Sequence, residues 1–258
     1  MIVTTDLQDG IATVTLNRPD KKNAWSEDMF EALPAACAAL DGARAVVITG
    51  AGGAFSAGLD LGFMMTMAGR LEEIKAQMGT ADPDGANFFQ RPVTCWAALG
   101  VPVIAAIEGV CFGAGMQLAL GADFRIAAPD ARMSIMESRW GLVPDMGITQ
   151  SLPKLMRADQ AKLLMMTAQE LNGAEALQMG LVTEVSETPL ERARTLAAEL
   201  ATRSPGALAG AKRLVDEAWQ CGTDALKLEA ELQAALIGSP NQMEAVMANM
   251  QKRPPKFG

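Results

Sequence analysis

The 258-residue chain contains no histidine and no tyrosine. The first absence removes the Ser-His and Cys-His nucleophilic systems, the common histidine metal sites and the usual general base at neutral pH. Any acid-base work therefore falls to carboxylates, lysines, cysteines or the backbone. Basic residues are in deficit, with 22 Lys and Arg against 30 Asp and Glu, which leaves a net charge of -8 and a pI near 4.7. That balance argues against general nucleic-acid binding, so an anionic ligand must be met by local features. The four cysteines (Cys37, Cys95, Cys111, Cys221) show neither a paired metal-ligand spacing nor a dense framework, and read as reduced thiols in a cytoplasmic protein. The opening "MIVTTDLQDGIATVTL" lacks the basic and long apolar regions of a secretory signal. The most apolar stretch, "AALGVPVIAAIEGVCFGAGMQLALGADF", is broken by Pro102, Glu108, Gln117 and several glycines. It makes a poor bilayer span and suits a buried strand followed by a buried helix, with no membrane association.

Half of the residues are hydrophobic, enough at this length for one large domain or a core domain with an appendage. The N-terminus reads as two strands joined at Asp9-Gly10. A helix is expected from Ser26 to about Leu40, with Ser26 as N-cap and acids from Glu27 to Glu31 in its first turn. "ARAVVITG", "PVIAAIEG" and "DFRIAAP" are apolar runs expected as strands buried on both faces, each tied to a helix-like segment, an α/β arrangement. From about Leu190 the strand signals stop and amphipathic helical patterns take over ("ERARTLAAELATR", "GALAGAKRLVDEAW", "DALKLEAELQAALI"). The expected division is a core over residues 1–189 and a helical subdomain over 190–258 that packs on a neighbour. Residues 69–92 read as an irregular insertion, either a specificity element or a plain surface loop.

Two glycine-rich stretches follow strands. In "TGAGGAFSAGLDL", Gly50 and Gly52 fit the start of a dinucleotide fingerprint, but its third glycine position falls on bulky Phe55. No G-K-[ST] follows, so a phosphate-binding P-loop fails, and Ser56 has neither the nucleophile-elbow frame nor a histidine to activate it. In "CFGAGMQ", Gly113, Ala114 and Gly115 leave the backbone bare at a helix start. Each stretch runs strand, small residues, helix start, so each can aim a backbone N–H at one shared position. Two such donors on one oxygen form an oxyanion hole, where each is worth about 3 to 4 kcal/mol in the transition state.

The segments "NRPDKKNAWS", "GAFSAGLDL", "EGVCFGAGMQLALGADFRIAA" and "ESRWGLVPDMGITQSLP" fall in an order and spacing that resembles the crotonase superfamily, the enoyl-CoA hydratase/isomerase family, over at least residues 11–185. The resemblance implies a spiral of ββα units with a helical C-terminal region that forms trimers, commonly paired into hexamers. It also implies acyl-CoA substrates of the kind found in fatty acid metabolism, an enolate-type oxyanion held by two peptide N–H groups, and no metal or redox cofactor. Carried over by position, the donors are Ala57 and Ala114. Ala57, Gly58, Leu59 and Asp60 lie against the CoA moiety, and Gly113, Ala114 and Gln117 are further substrate-binding positions.

Hydratases of the family use two glutamates. The first position is Gln117 here, and an amide cannot act as a general base. The second is Glu137, which is present. Asp145, eight positions later, stands where hydratases tend to have glycine, and dienoyl-CoA isomerases of the family resemble this chain at both Glu137 and Asp145, with an aspartate at the Gln117 position. The resemblance thus points to double-bond isomerisation with Glu137 and Asp145 as acid and base. Hydration by Glu137 with Gln117 positioning water, hydrolysis or decarboxylation, and non-catalytic acyl-CoA binding are the alternatives. A structural reading gives Asp145 a helix N-cap after Pro144, gives Glu137 an ion pair with Arg139 or Arg132, and makes Gln117 a packing residue. Met64, Met65 and Met67 are candidates for an acyl pocket or core filling, and Lys21, Lys22, Lys252, Arg253 and Lys256 for CoA phosphate contacts or surface charge.

Overall fold

In the computed structural model, the described residues are 1–83, 85–203, 205–218, 230 and 233–253. A six-stranded sheet holds β1 (Val3–Gln8), β2 (Ile11–Leu16), β3 (Ala45–Gly50), β4 (Val103–Ile107), β6 (Phe124–Ala127) and β8 (Glu184–Val185), in that spatial order. A smaller two-stranded sheet pairs β5 (Val110–Phe112) with β7 (Arg132–Ser134). Only the β1–β2 pair of the large sheet is antiparallel. Its hairpin turns at Asp9 (φ 51°) and Gly10 (φ 78°), the positive pair that a two-residue turn of matching twist requires.

The apolar runs expected as strands are strands, and both of their faces are covered. Val46, Ile48, Val103, Ala105 and Ile107 point into the main core, while Ala45, Val47, Ile104, Ala106 and Ile126 meet Ala193 and Ala197 on the opposite face. That second cover is α9 (Pro189–Ala201), so the layered core continues past residue 189. The first helix, α1 (Glu27–Ala38), has Ser26 at its N-cap position without a side-chain capping bond. It packs against α4 (Arg91–Ala97).

The segment expected to be irregular contains α3 (Leu71–Gly79), which follows α2 (Leu61–Ala68). Ile74 and Met78 of α3 are buried, so this helix is held by tertiary packing of one apolar edge. The apolar stretch around residue 110 resolves into β4, β5 and α5 (Ala114–Leu120), every residue of which is buried. Beyond it come α6 (Ile148–Leu155), α7 (Ala158–Thr167), α8 (Gly173–Gln178), α9, α10 (Pro205–Ala218) and α11 (Pro240–Met250). No helix among the described residues is long and apolar enough to cross a membrane. Cys221, Lys256 and most of "DALKLEAELQAALI" lie outside the described residues.

Candidate active site

The two glycine-rich stretches lie side by side, stitched by backbone bonds from Phe55 N to Glu108 O (2.8 Å), Ser56 N to Val110 O (2.9 Å) and Phe112 N to Ser56 O (2.9 Å). Glycine is needed where they touch. A Cβ on Gly115 would sit 2.5 Å from Cβ of Ser56, and one on Gly58 (φ 88°) would sit 2.9 Å from the carbonyl oxygen of Phe112 and 3.8 Å from the nitrogen of Ala114. The bare backbone therefore lets the first turn approach the start of α5.

That approach opens a cavity of about 520 Å³, within the range of small-molecule sites. Ala57, Gly58, Leu59, Asp60, Gly113, Ala114, Gln117, Glu137 and Asp145 all line it. The sequence pattern thus picked out residues that the fold gathers around one cavity. The apolar side of the cavity includes Phe30, Met64, Met67, Met78 and Phe89, contributed by three helices and the loop before α4. Met65, grouped with its neighbours in the sequence reading, is 64% exposed on the outer face of α2. Trp140, Met136 and Met146, expected from sequence to bury the carboxyls, line the cavity too, whereas Phe30, Met78 and Phe89 were not singled out, because apolar residues on separate elements carry no local signal of a shared wall.

One expected donor is already committed. The N–H of Ala57 bonds to the carbonyl of Lys22 at 2.8 Å, so it cannot serve an oxyanion. The usable group on this turn belongs to Leu59. Trp25 N donates to Gly58 O and Asp60 N donates to Trp25 O, which brackets Leu59 and leaves its own N–H on the other side of the turn. Neither Leu59 N–H nor Ala114 N–H has an acceptor among the described residues. The positive φ of Gly58 causes the reversal: it breaks the two-residue alternation, so Ala57 and Asp60, three apart, face the same neighbouring segment. Ala114 is the first residue of α5, where an N–H has no partner inside the helix.

Asp60 caps α2, accepting from Gly62 N (2.8 Å) and Phe63 N (3.4 Å), and pairs with Arg18 at 3.0 Å. It holds the turn and presents little free charge to a ligand. Ser56 is fully buried and donates to Asn23 O at 2.9 Å, a structural role. Lys21 is exposed on the cavity wall, Lys22 is exposed, and Arg253 is paired with Glu244 at 2.6 Å.

Glu137 opens a short 3-10 turn, Glu137–Trp140. No ion pair joins it to Arg139 or Arg132 among the described residues; Arg132 binds Glu170 at 2.6 Å. Its Oε1 accepts from Gln117 Nε2 at 2.7 Å, and its Oε2 is out of solvent with no hydrogen-bond partner. Burial outweighs the lowering influence of the nearby backbone N–H groups of Glu137 and Met136 and of the Gln117 amide, and pushes the carboxyl up to about 7. A carboxyl poised there exchanges a proton readily at neutral pH. Asp145 is not the N-cap of α6, a place taken by Gly147; it lies 8% exposed on the cavity wall.

A family model described as Enoyl-CoA hydratase/isomerase matches residues 6–258. The chain belongs to the enoyl-CoA hydratase/isomerase family. Within this crotonase superfamily, the chain is 34% identical over 260 residues to a probable enoyl-CoA hydratase of Mycobacterium bovis, covering 96% of each chain. It is 31% identical over 272 residues to a peroxisomal Delta(3,5)-Delta(2,4)-dienoyl-CoA isomerase of Arabidopsis thaliana, covering 99% of this chain and 95% of that one. The fold matches an enoyl-CoA hydratase structure from Mycobacterium avium subsp. paratuberculosis with a TM-score of 0.84 at 28% identity, over 100% of this chain and 99% of that one. The α/β architecture is thus that of an acyl-CoA enzyme of the hydratase/isomerase type.

Proposed function

We propose that this protein moves a double bond within an enoyl- or dienoyl-CoA. The thioester oxygen sits between the N–H groups of Leu59 and Ala114, and the positive end of α5 adds to the field that favours charge there. Glu137 takes a proton from carbon, the electron pair shifts onto the thioester oxygen, and Asp145 returns a proton further along the conjugated chain, or the two exchange roles. No metal or redox cofactor enters this scheme; coenzyme A is part of the substrate.

The observation that carries the reading is the state of the Glu137 carboxylate: a residue of the cavity lining, with one oxygen fixed by Gln117, the other buried without a partner, and a pKa near 7. Two-carboxylate hydration is disfavoured by the amide at position 117, which neither gives up nor accepts a proton at ordinary pH. The lining of phenylalanine and methionine suits an uncharged acyl group. The C-terminal helices are proposed to join subunits into a trimer or a dimer of trimers in the cytoplasm, which sedimentation of the purified protein checks.

The test of the reaction is to incubate the protein separately with 2-enoyl-, 3-enoyl- and 3,5-dienoyl-CoA and follow the ultraviolet spectrum. Conversion of the 3-enoyl or dienoyl ester to a shifted chromophore supports isomerisation. Loss of 2-enoyl absorbance through water addition would establish the hydratase instead, and binding without spectral change on any ester would leave a non-catalytic acyl-CoA binder.

A further inference from the structure

Gln117 occupies a fully internal position, 1% exposed on an α5 that is buried throughout. Its amide is used at both ends. Nε2 donates to Glu137 Oε1 at 2.7 Å, and Oε1 accepts from the backbone N–H of Met146 at 2.8 Å. This pairing fixes the amide orientation, because the reversed amide would set its oxygen against a carboxylate and its NH₂ against an N–H. Three segments meet there: α5, the turn that starts at Glu137, and the loop that carries Asp145 and Met146.

We infer that Gln117 is a positioning residue, a neutral clasp that holds Glu137 by one oxygen, so fixing the carboxylate's orientation at the cavity, and joins that carboxylate to the Asp145–Met146 loop. Glutamine does this and a carboxylic acid does not, since donor and acceptor are permanent in an amide while an acid loses its donor on ionising. An ionised partner 2.7 Å away would also repel the charge on Glu137. An amide at this position therefore leaves one titrating group where an acid would give two that couple.

Other charges leave Glu137 to this single clasp. Lys21, Asp60 and Asp145 share the cavity, and Asp60 is committed to Arg18. Arg139 on the same turn is exposed. On α7, which packs against the turn, Asp159 pairs with Arg157 and Lys162 is exposed; on α11, Glu244 pairs with Arg253. None of them is bonded to Glu137 among the described residues.

This inference rests on the proposed role of Glu137, and its test separates the two. Gln117→Met keeps the volume and helix preference but removes both hydrogen bonds; Gln117→Glu restores them only while it is protonated. Glutamate side-chain ¹³C NMR of the labelled protein, with the Glu137 signal found by its absence in Glu137→Gln, follows the titration without substrate. Losing the amide donor should raise the Glu137 midpoint in Gln117→Met by about one pH unit or more, the size of a hydrogen bond to a charged group. With the substrate turned over by the wild type, kcat should fall roughly 10- to 100-fold while KM stays within about twofold. Gln117→Glu should recover kcat at the acid end, where the pair shares one proton, and lose it as pH rises, giving a bell in place of a single rising limb. An unmoved midpoint with unchanged kcat in Gln117→Met overturns the clasp. If Gln117→Met does not fold, the Gln117→Glu profile decides: a wild-type rising limb overturns it. A shifted midpoint in a protein that turns over none of the esters keeps the clasp and overturns the isomerase reading.

Discussion

The backbone N–H of Ala57 is bonded to the carbonyl of Lys22, 2.8 Å away, and this one contact leaves the N–H of Leu59, two residues along the chain, as the group on this turn that the proposed oxyanion site uses. Its counterpart on the other turn offers a clean test. Ala114 is the first residue of α5, a position that accepts proline because its N–H has no helical partner. Ala114→Pro is expected to lower kcat by roughly 10²- to 10³-fold, the effect of losing one oxyanion donor. Circular dichroism and thermal melting should show the fold retained.

Glu137→Gln should lower turnover by about 10²- to 10⁴-fold, the range of general acid-base contributions, while CoA-ester binding measured by calorimetry persists. Unchanged turnover removes Glu137 from the chemistry. Asp145→Asn probes the isomerase reading more narrowly, because a hydratase working through Glu137 alone should tolerate it. The expected outcome is loss of double-bond migration with the 2-enoyl ester still bound.

The pH dependence has a definite sign. In the proposed direction, with Glu137 removing the proton in its ionised form and a midpoint of about 7, kcat/KM should rise with pH through that value; a falling limb there would assign Glu137 the acid's role instead. Stability should run the other way. The folded carboxyl holds its proton to higher pH than an unfolded one, so the native state binds more protons between about pH 4.5 and 7 and loses stability as pH rises across that window. Glu137→Gln removes the buried charge and should stabilise the protein at pH 8 by on the order of 1 to 3 kcal/mol. Chemical denaturation at pH 5 and pH 8 measures the difference.

Asp60 makes two capping bonds to α2 and an ion pair with Arg18. Asp60→Ala should cost about 0.5 to 2 kcal/mol of stability, the usual loss for an N-cap, and Asp60→Asn should recover most of it. Denaturant titration of both variants checks this, and equal losses in the two would give the weight to the Arg18 pair.

Much of this architecture was legible in the chain. Runs such as "AVVI" and "VIAAI" read as strands covered on both faces because their residues alternate between two apolar layers, and the Asp9-Gly10 turn announced the hairpin. The gathering of Gly58, Ala114, Gln117 and Glu137 was legible only through the order of the motifs, since tertiary contacts bring them together. Three features escaped for physical reasons. α3 buries little beyond Ile74 and Met78, too thin an apolar edge to stand out. α9 reads as an amphipathic helix of a separate subdomain, although its small residues Ala193 and Ala197 press against the sheet. The choice of Leu59 over Ala57 depends on the φ of Gly58, and a glycine in a sequence permits either sign of φ without stating which.

In the proposed reaction Glu137 and Asp145 exchange protons with two carbons of a CoA-bound acyl chain, and no water is added. Incubating wild-type protein and Glu137→Gln with 3-enoyl-CoA in D₂O, and following the products by NMR and mass spectrometry, tests it most directly. The expected result is a 2-enoyl product carrying deuterium on carbon with no oxygen gained, formed by the wild type and not by Glu137→Gln. A 3-hydroxyacyl product, or migration that survives in Glu137→Gln, would contradict it.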